Sequence, residues 1–415
     1  MENQGFMDKL LDGVGVEWLP LGEVGKFIRG NGLQKKDLME SGFPAIHYGQ
    51  IFTRYGLSAY KTFTFVSNEF SKKLRIAYKN DLLIATTSEN DKDVLKPLAW
   101  LGEEMAISSD MMLFRHDQNV KYLAYCFNTV TFQKQKYKYI TGTKVRRVSS
   151  KSLAKMIVPI PYPDNPKKSL EIQREIVRIL DTFTGLTAEL TAELTARKQQ
   201  YNYYRDQLLS FKESQVEWKK LGEVGSVCMC KRILKHQTLN NGDIPFYKIG
   251  TFGKNANAFI TNELFTEYKK KYNYPKIGEV LISASGTIGR TVIFDGKDAY
   301  FQDSNIVWIE NNESIVLNKY LFYFYKIAKW HIAEGGTIKR LYNDNLKKTK
   351  IPIPYPNDSK KSLKEQKRIV AILDKFDVLT QSITDGLPHE IELCQQQYEY
   401  YREMLLSFPK EEVIA

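Results

Sequence analysis

Apolar residues recur every seven positions in two long segments of the chain. In 169–211 they form two rows, one of which includes a threonine: Ile176, Phe183 and Leu190, and then Leu180, Thr187, Leu194, Tyr201 and Leu208. In 362–408 the matching positions are Ile369, Phe376 and Ile383, with Leu373 and Leu387 on the second row. Such spacing is typical of a helix that packs against another helix. Each segment is therefore predicted to be helical, after a proline-rich stretch that excludes helix.

Short apolar or β-branched runs, bounded by glycine, asparagine and aspartate, fill the regions 16–158 and 216–351. Runs of this length, with few helix-length periodic windows, predict strands. The predicted strands include those at 81–84, 121–123, 279–282 and 319–321. Each region is therefore expected to form a globular α/β domain.

The two halves of the chain repeat each other in the same order. Val-Glu-Trp and Leu-Gly-Glu-Val-Gly at 16–25 recur at 216–225, and the proline-rich block at 158–163 recurs at 351–356. A third block, with Tyr-Tyr-Arg at 203–205 and Leu-Leu-Ser-Phe at 208–211, recurs at 400–402 and 405–408. Three matching blocks in one order indicate a tandem duplication. The predicted fold class is therefore α/β, with two similar domains separated by two long antiparallel helices and related by a pseudo-twofold axis.

The two helices can pair within one chain or between two chains. We favour pairing within the chain, because duplicated segments of one chain have a high effective concentration for each other. The alternative is a coiled coil that joins two copies. The candidate residues for helix pairing or partner docking are Ile176, Leu180, Phe183, Leu190, Leu194, Ile369, Leu373 and Phe376. An echo of the helix end at 8–11 also predicts that the two termini lie together.

The net charge of the chain favours a polyanionic partner. It has 415 residues, with 60 Lys and Arg against 48 Asp and Glu, giving +12. No apolar run is long enough to span a bilayer and the first residues lack the order of a signal peptide, so we expect a cytoplasmic protein. The four cysteines, including Cys228 and Cys230, and the five histidines show neither a disulfide framework nor zinc spacing, so no metal is expected.

Motifs of catalysis are absent from the sequence. It contains no Asn-Pro-Pro-Tyr or Asp-Pro-Pro-Tyr methyltransferase motif and no Gly-x₄-Gly-Lys-Ser/Thr phosphate loop. Residues 365–367 resemble the end of a nuclease site but lack a suitably spaced upstream Pro-Asp. We therefore expect a chain that is not an enzyme. The alternatives are a stand-alone DNA nuclease or methyltransferase, and a coiled-coil scaffold, although a scaffold would not need two diverged basic domains.

The order of variable domain, repeated helix, variable domain and repeated helix resembles the specificity (S) subunits of type I restriction-modification systems. The segment 186–194, followed by Gln-Tyr-Asn-Tyr-Tyr-Arg at 200–205, is similar to the central conserved region of the type IC branch. The resemblance implies four segments, namely target recognition domains at 1–158 and 212–351 and conserved helix regions at 159–211 and 352–415.

The resemblance also implies a function and partners. Each target recognition domain would read one half of a bipartite site in double-stranded DNA, and the helices would set the spacer between the halves. Methyltransferase (M) subunits would dock on the helices, and restriction (R) subunits would complete the nuclease. S-adenosylmethionine, ATP and magnesium would then belong to those partners, and this chain would hold no cofactor.

Basic stretches recur near the end of each variable domain, at 142–147 and 336–340. A basic loop at equivalent places in two DNA readers suits phosphate anchoring, and arginine can also contact guanine with two hydrogen bonds. The alternative is a solvated basic loop. The candidate DNA contacts in these stretches are Lys144, Arg146, Arg147, Lys339 and Arg340.

Two further basic features are weaker candidates. Arg290 ends a glycine-containing turn at 285–290 that resembles a phosphate-binding turn; the alternative is a tight connection between strands. Lys134, Lys136 and Lys138 are expected to add positive field without reading bases.

Overall fold

The computed structural model describes residues 15–212, 215–332, 339–381 and 386–408. They divide into two compact units. Unit 1 takes in the described residues up to Leu190 and from Ile391 onward, and unit 2 is Thr191–Glu390. Each unit holds one copy of the predicted α/β domain and part of both helical segments. The four-segment division by sequence remains a prediction, and the predicted nearness of the termini lies outside the described residues.

Unit 1 is built on two larger sheets and two two-stranded pairs. Its strands are β1 (Val16–Pro20), β2 (Gly25–Arg29), β3 (Phe43–Ile46), β4 (Ser58–Ala59), β5 (Thr64–Val66), β6 (Ile76–Ala77), β7 (Leu82–Ala85), β8 (Thr87–Ser88), β9 (Lys96–Trp100), β10 (Met105–Ile107), β11 (Met111–His116), β12 (Arg146–Arg147) and β13 (Ile157–Pro161). Its short helices are α1 (Leu21–Val24), α2 (Tyr48–Thr53), α3 (Asn68–Ser71), α4 (Val120–Phe127), α5 (Val130–Tyr137) and α6 (Ser150–Ala154). The strand orders are β2-β11-β7-β9-β4 and β5-β3-β10-β6. The long helix α7 (Pro166–Leu208) follows.

Unit 2 repeats this architecture with smaller sheets. Its strands are β14 (Val216–Lys220), β15 (Gly225–Cys228), β16 (Ile244–Tyr247), β17 (Phe259–Ile260), β18 (Val280–Ser283), β19 (Thr291–Ile293), β20 (Tyr300–Phe301), β21 (Ile306–Asn311) and β22 (Lys350–Pro354). The helices are α8 (Leu221–Val224), α9 (Asn262–Lys271), α10 (Asn318–Tyr325), α11 (Asn343–Lys348), α12 (Ser359–Gln381) and α13 (Leu387–Leu406). The strand orders are β15-β21-β18-β19 and β17-β16-β20. The predicted α/β class with two similar domains is confirmed.

The central strand of each unit is buried on both faces. Alternate side chains of a strand point to opposite sides. In unit 1, Leu82 and Ile84 of β7 join the core formed with α4 and α7, while Leu83 joins the core beneath the second sheet. In unit 2, Ile282 and Leu281 of β18 divide in the same way. The predicted strands at 81–84 and 279–282 are therefore confirmed, apart from their first residues.

The repeated sequence blocks pair with each other in both units. β1 lies antiparallel to β13, with Trp18 opposite Pro159, and β14 lies antiparallel to β22, with Trp218 opposite Pro352. Proline has no N–H to donate, and a two-stranded ribbon tolerates it because one edge of each strand needs no partner in the ladder. In each domain, the sequence block at the start therefore pairs as a strand with the sequence block at the end.

Gly25 and Gly225 end the repeated Leu-Gly-Glu-Val-Gly motif where two strands approach closely. A Cβ placed on Gly25 would lie 2.4 Å from the carbonyl oxygen of Arg115, and one on Gly225 would lie 2.3 Å from that of Glu310. A backbone oxygen cannot rotate away as the end of a side chain can. Only glycine fits at these positions, which explains why the motif keeps it in both copies.

Gly225→Ala is expected to destabilise unit 2 by about 1–3 kcal/mol, since overpacking forces the backbone to shift. For a unit of this size, that lowers the unfolding midpoint by roughly 2–12 °C. Gly185→Ala is the matched control, because Gly185 lies inside α7 and nothing comes within 4 Å of a Cβ placed there. Helix propensity should then raise the midpoint of unit 1 by about 2–4 °C. Calorimetry of the purified chain measures both, and a harmless Gly225→Ala would contradict the close approach.

The apolar rows of both helical segments begin with residues that pack against the α/β domains. Ile176 and Leu180 are fully buried in the core of unit 1, and Ile369 and Leu373 are fully buried in the core of unit 2. In the middle of α7 the burial is weaker, since Leu190 and Leu194 are half-buried, and Tyr201 is buried again in the core of unit 2. The seven-residue spacing therefore reports contact with a domain as well as contact with another helix.

Within unit 1, α7 and α13 run antiparallel. The ring of Phe183 stacks on that of Tyr401 with centroids 5.0 Å apart. One turn later on α7, Thr187 Oγ1 lies 3.2 Å from Cys394 Sγ. Position numbers therefore rise along one helix as they fall along the other. Pairing of the helical segments within the chain is confirmed, and the threonine that interrupts the row has a polar neighbour.

Within unit 2, α7 contacts α12 in the same manner. The ring of Phe376 stacks on that of Tyr204 with centroids 5.6 Å apart. The second helical segment is not one helix, since α12 ends at Gln381 and α13 begins at Leu387. Pro388 stands in the first turn of α13, where a missing N–H costs no helical hydrogen bond. Residues 382–385 lie outside the described part of the chain.

Residues 121–123 and 319–321 are helical, and their prediction as strands was wrong. They lie in α4 and α10, which are buried between a sheet and a long helix. A short apolar run in a largely buried helix shows little of a polar face, so its periodicity does not distinguish it from a buried strand. The signal that favours helix is Asn119, whose side chain accepts the N–H groups of Lys121 and Tyr122.

Candidate nucleic-acid interface

The basic stretch of unit 1 forms a tight hairpin next to the central strand. Thr141 and Arg147 exchange two backbone hydrogen bonds of 2.9 Å. Gly142 has φ +90°, and a Cβ there would lie 2.1 Å from a backbone oxygen of the same turn, so the turn requires glycine. Lys144 lies in the turn, and both Lys144 and Arg147 are exposed.

Unit 2 places Arg340 at the equivalent position. Arg147 pairs with Thr87 just after β7, and Arg340 forms a bridge with Ser285 just after β18. The residues that follow match as well. The N–H of Val148 donates to the carbonyl oxygen of Thr86 at 3.2 Å, and the N–H of Leu341 donates to that of Ala284 at 2.8 Å. The predicted equivalence of the two basic stretches is confirmed; their contact with DNA remains a prediction.

The same register makes Lys339 the counterpart of Arg146. Lys339 is exposed, and the preceding residues 336–338 of its stretch lie outside the described part of the chain. Arg146 is only half-exposed, because its Nε lies 2.8 Å from Asp91 Oδ1 and its Nη1 donates to the carbonyl oxygen of Gly142 at 2.5 Å.

The polar groups beneath the two bridges differ between the units. Thr87 Oγ1 donates to Asp110 Oδ1 at 3.3 Å, whereas Ser285 Oγ donates to Asn305 Oδ1 at 2.7 Å. Burial lowers the pKa of nearby His47, although the charge of Asp110 opposes the shift, so this imidazole is neutral near pH 7. One scaffold therefore carries an acidic group in unit 1 and an amide in unit 2.

A polar cleft of about 290 Å³ opens beside Arg340. Two other segments supply its remaining basic side chains, which are Arg232 and Lys235 on one and Lys248 on the other. Arg232 Nε lies 2.8 Å from Asp303 Oδ2, so a carboxylate balances part of this charge. Sequence reasoning missed these three residues. The available signal was the basic run at 231–235, which lies far from Arg340 along the chain.

Arg290 is held by the fold of its own turn. Its N–H donates to Ser283 Oγ at 2.8 Å and its Nη1 donates to the carbonyl oxygen of Phe252 at 2.9 Å. The turn at 285–290 makes a tight connection between β18 and β19. This local geometry matches the alternative interpretation of the turn, and a phosphate contact by Arg290 remains a prediction.

Lys136 is fully buried, so its ammonium lies inside the domain and not on the surface, and its contribution to the positive field stays a prediction. Its Nζ donates to the carbonyl oxygen of Lys92 at 2.9 Å. The helix α5 turns this position inward, and the sequence alone gave no sign of that, because α5 has no clear apolar face. Burial lowers the pKa of Lys136 to about 8, and Asp93 and Asp91 oppose that shift.

A buried glutamine fastens each helical segment to its domain. Gln173 is fully buried; its Oε1 accepts the N–H of Asn119 at 2.9 Å and its Nε2 donates to Ser169 Oγ at 3.0 Å. Gln366 makes the same two bonds in unit 2. Its Oε1 accepts the N–H of Leu317 at 2.9 Å, and its Nε2 donates to Ser362 Oγ at 3.2 Å. These residues belong to the repeated blocks, yet sequence reasoning assigned them no role.

An aspartate makes a second repeated attachment. Asp181 accepts from Lys121 Nζ at 2.5 Å and from the Tyr125 hydroxyl at 2.8 Å. Asp374 takes the equivalent two bonds in unit 2, at 2.7 and 2.6 Å. Burial and the neighbouring carboxylate raise the pKa of Tyr125 and Tyr323, so both hydroxyls stay protonated donors. The glutamine and aspartate pairs thus orient each domain on its helix.

The helical candidates divide by exposure. Ile176, Leu180, Ile369 and Leu373 have no exposed surface, so they serve packing inside the chain. Contact with a partner is left to exposed residues of the helices, and Tyr203 is one of them, with 62% of its surface exposed.

The cysteines and acidic groups of the described residues form no metal site. In 15–212, 215–332, 339–381 and 386–408, no cluster of three or more His, Cys, Asp or Glu side chains is placed to hold a metal ion. Nor does any helix of these ranges have the length and apolar content that crossing a membrane needs. The four cysteines are free and buried, and burial raises the pKa of Cys230 to about 12, so that thiol is protonated at neutral pH.

Comparison with known proteins identifies a family for most of the chain. Residues 14–197 and 213–393 each match the family described as type I restriction modification DNA specificity domain. A Haemophilus influenzae protein described as a putative type I restriction enzyme specificity subunit is 46% identical over 417 residues, covering 98% of this chain and 99% of that protein. The Escherichia coli EcoR124I/EcoR124II specificity subunit is 38% identical over 434 residues, covering 100% of both chains.

A solved structure supports the fold. The S subunit of a type I restriction-modification system from M. genitalium aligns with a TM-score of 0.54 at 13% identity, over 96% of this chain and 98% of that one. The two family matches coincide with the duplicated halves found in the sequence and in the structure. The chain therefore belongs to the type I restriction-modification specificity subunits, the non-catalytic subunits of their complexes, as the sequence predicted.

Proposed function

We propose that each unit reads one half of a bipartite site in double-stranded DNA. The observation that carries this proposal is the equivalence of Arg147 and Arg340, which occupy one backbone position above different polar groups. Phosphates are the same at every base pair, so equal placement suits contact with the DNA backbone. Different neighbours, such as Asp110 and Asn305, suit the reading of two different half-sites.

The exposed basic residues are assigned to phosphates, and the cleft of unit 2 to base edges. Lys144, Arg147, Lys339 and Arg340 are exposed, so their charges can displace the counterions of DNA without losing an internal partner. One guanidinium nitrogen of Arg290 is hydrogen-bonded within the fold, and its remaining N–H groups are assigned to phosphate binding. The alternative, a solvated basic loop, predicts no change in binding when these residues are removed.

The helical segments are proposed to set the spacer and to dock two methyltransferase subunits, which restriction subunits then join. Two exposed tyrosines support this docking role: Tyr203 of α7 and Tyr400 of α13 occupy equivalent places in the repeated Tyr-Tyr-Arg motifs, with 62% and 55% of their surfaces exposed. Aromatic side chains that remain exposed on a folded chain are enriched at protein interfaces. S-adenosylmethionine, ATP and magnesium are assigned to the partners.

Three finer assignments complete the proposal. The segments 186–194 and 200–205 favour the type IC branch within the family. The target recognition domains are placed at 1–158 and 212–351, and the conserved helix regions at 159–211 and 352–415. The complex is assigned to the cytoplasm, where chromosomal and invading DNA are both accessible.

Exchange of 26–157 for the first domain of another family member is expected to change one half-site and to leave the other intact. The exchanged segment lies between repeated blocks, and the pairing of β1 with β13 closes it as one insert. The host would carry this chain and its methyltransferase subunits, and sequencing of its methylated bases gives the motif.

The reciprocal exchange of 226–350 is the matched control, because β14 and β22 close that segment in the same way. It should change the other half-site alone. A single exchange that altered both half-sites would mean that the units do not read independently.

A further inference from the structure

Arg146 differs from the other basic candidates because the fold holds its guanidinium at two atoms. Asp91 Oδ1 forms an ion pair with Nε at 2.8 Å, although it receives no hydrogen bond, and the carbonyl oxygen of Gly142 accepts a hydrogen bond from Nη1 at 2.5 Å. The backbone of Arg146 is fixed as well, since it pairs with Ser88. A guanidinium has five N–H donors, so most of them remain available for a ligand while the group is held in place.

The loop that carries Asp91 is itself fixed. Asn90 Nδ2 donates to Asp93 Oδ2 at 2.8 Å, and the N–H of Asp93 donates back to Asn90 Oδ1 at 2.9 Å. Val94 and Leu95 follow and are buried in the core of unit 1. Asp91 therefore lies inside a local hydrogen-bonded turn, and an apolar anchor follows that turn directly.

Lys136 supports this loop from inside the domain. Its buried ammonium donates to the carbonyl oxygen of Lys92, the residue after Asp91. Removing an ammonium from water is costly unless it is paired and hydrogen-bonded. The negative charges of Asp91 and Asp93 offset part of that cost, and the same contact holds the acidic loop against α5.

A carboxylate on a DNA-binding surface repels phosphates, so there must be a reason for its presence there. Orientation of an arginine is such a reason, since the two-bond contact of arginine with guanine depends on the plane of the guanidinium. Unit 2 lacks this arrangement in the residues that the structure describes: no ion pair of Lys339 or Arg340 is found there, and a short turn at 285–290 replaces the acidic loop.

We propose that Asp91 is a specificity-determining positioning residue, which holds Arg146 for recognition of a guanine in the half-site read by unit 1. The exposed basic residues bind phosphates of any sequence, whereas the Asp91–Arg146 pair selects one base. This inference rests on the proposed DNA interface of unit 1.

The test uses the full chain assembled with its methyltransferase subunits and supplied with S-adenosylmethionine. The complex methylates a plasmid pool that carries random sequence, and sequencing of methylated adenines gives the preference at every position. Asp91→Asn is expected to lower the preference for guanine at one position about tenfold, within the range of a two-bond arginine–guanine contact. The half-site read by unit 2 should be unchanged.

Glu89→Gln is the matched control. Glu89 is exposed on the same loop, and the described residues include no ion pair for it, so the variant removes one negative charge without touching Arg146. It should keep the wild-type motif. In the Arg146→Ala background, Asp91→Asn should cause no further loss at that position, because the arginine through which it acts is gone.

The outcomes separate the two proposals. A wild-type motif for Asp91→Asn, together with a relaxed position for Arg146→Ala, overturns the role of Asp91 and leaves the interface standing. A wild-type motif and unchanged salt dependence for Arg146→Ala overturn the assignment of Arg146 to the interface. Loss of methylation at all sites by Asp91→Asn would make the residue a folding requirement and would also overturn the proposal.

Discussion

Variants of α7 with one, two and three copies of Thr-Ala-Glu-Leu should recognise the same two half-sites with spacers that lengthen by one or two base pairs per copy. The natural chain has two copies, at 187–190 and 191–194. Four helical residues add about 6 Å along the axis. DNA rises about 3.4 Å per base pair. Because the original spacing no longer fits, methylation of the original motif should be lost in the altered variants.

The structure supports this position for a length change. α7 is continuous through both copies, and the division between the units falls between Leu190 and Thr191. Added residues would therefore lengthen the helix where the chain leaves one unit and enters the other. Four residues also rotate the helix by about 40° beyond a full turn, which the helix contacts must absorb. We therefore expect the smaller change of one base pair per copy.

The second helical segment can follow such a change. The chain returns from unit 2 to unit 1 between Glu390 and Ile391, close to the break between α12 and α13. The length control is Glu189→Gln with Glu193→Gln, which alters the charge of both copies and keeps the number of residues. Mapping of methylated motifs measures all variants. A spacer that stays constant while copies are added would assign these residues to packing alone.

Replacement of Arg146, Arg147, Lys339 and Arg340 by alanine should weaken binding to every DNA sequence and flatten its dependence on salt. Each lost phosphate contact lowers the magnitude of the slope of log K against log salt by about 0.9, so the three phosphate contacts assigned to Arg147, Lys339 and Arg340 account for about 2.7. Asp91 already balances the charge of Arg146, so we expect Arg147, Lys339 and Arg340 to carry most of the change. Binding of a duplex pool at several salt concentrations measures the slope.

The matched control removes four cations that are paired with carboxylates away from the two basic bridges. These are Arg197, Lys269, Lys271 and Lys297, whose partners lie between 2.7 and 3.3 Å away. The control has the same net charge as the test variant, so it should lose only the general attraction of the chain for DNA. Equal slopes for the two variants would make the basic stretches solvated loops.

The sequence by itself determined the duplication and what depends on it. Motifs in one order established two similar domains, and seven-residue spacing placed Ile176 and Ile369 on buried helix faces. The basic stretches that contain Arg147 and Arg340 lie at similar distances ahead of the proline-rich blocks, so the sequence alone was enough to match them. Periodicity succeeds for the helices because it records which face of a long regular element is buried.

Only the tertiary structure decided which elements meet. Gln173 bonds to the backbone of Asn119, and Lys136 reaches the carbonyl of Lys92, although nothing in the spacing of these residues couples them. The cleft that joins Arg232 to Arg340 also brings together distant segments. A polar side chain is buried when a partner replaces water, and that partner comes from the packing of the whole unit. The roles of these residues therefore could not be predicted from local pattern.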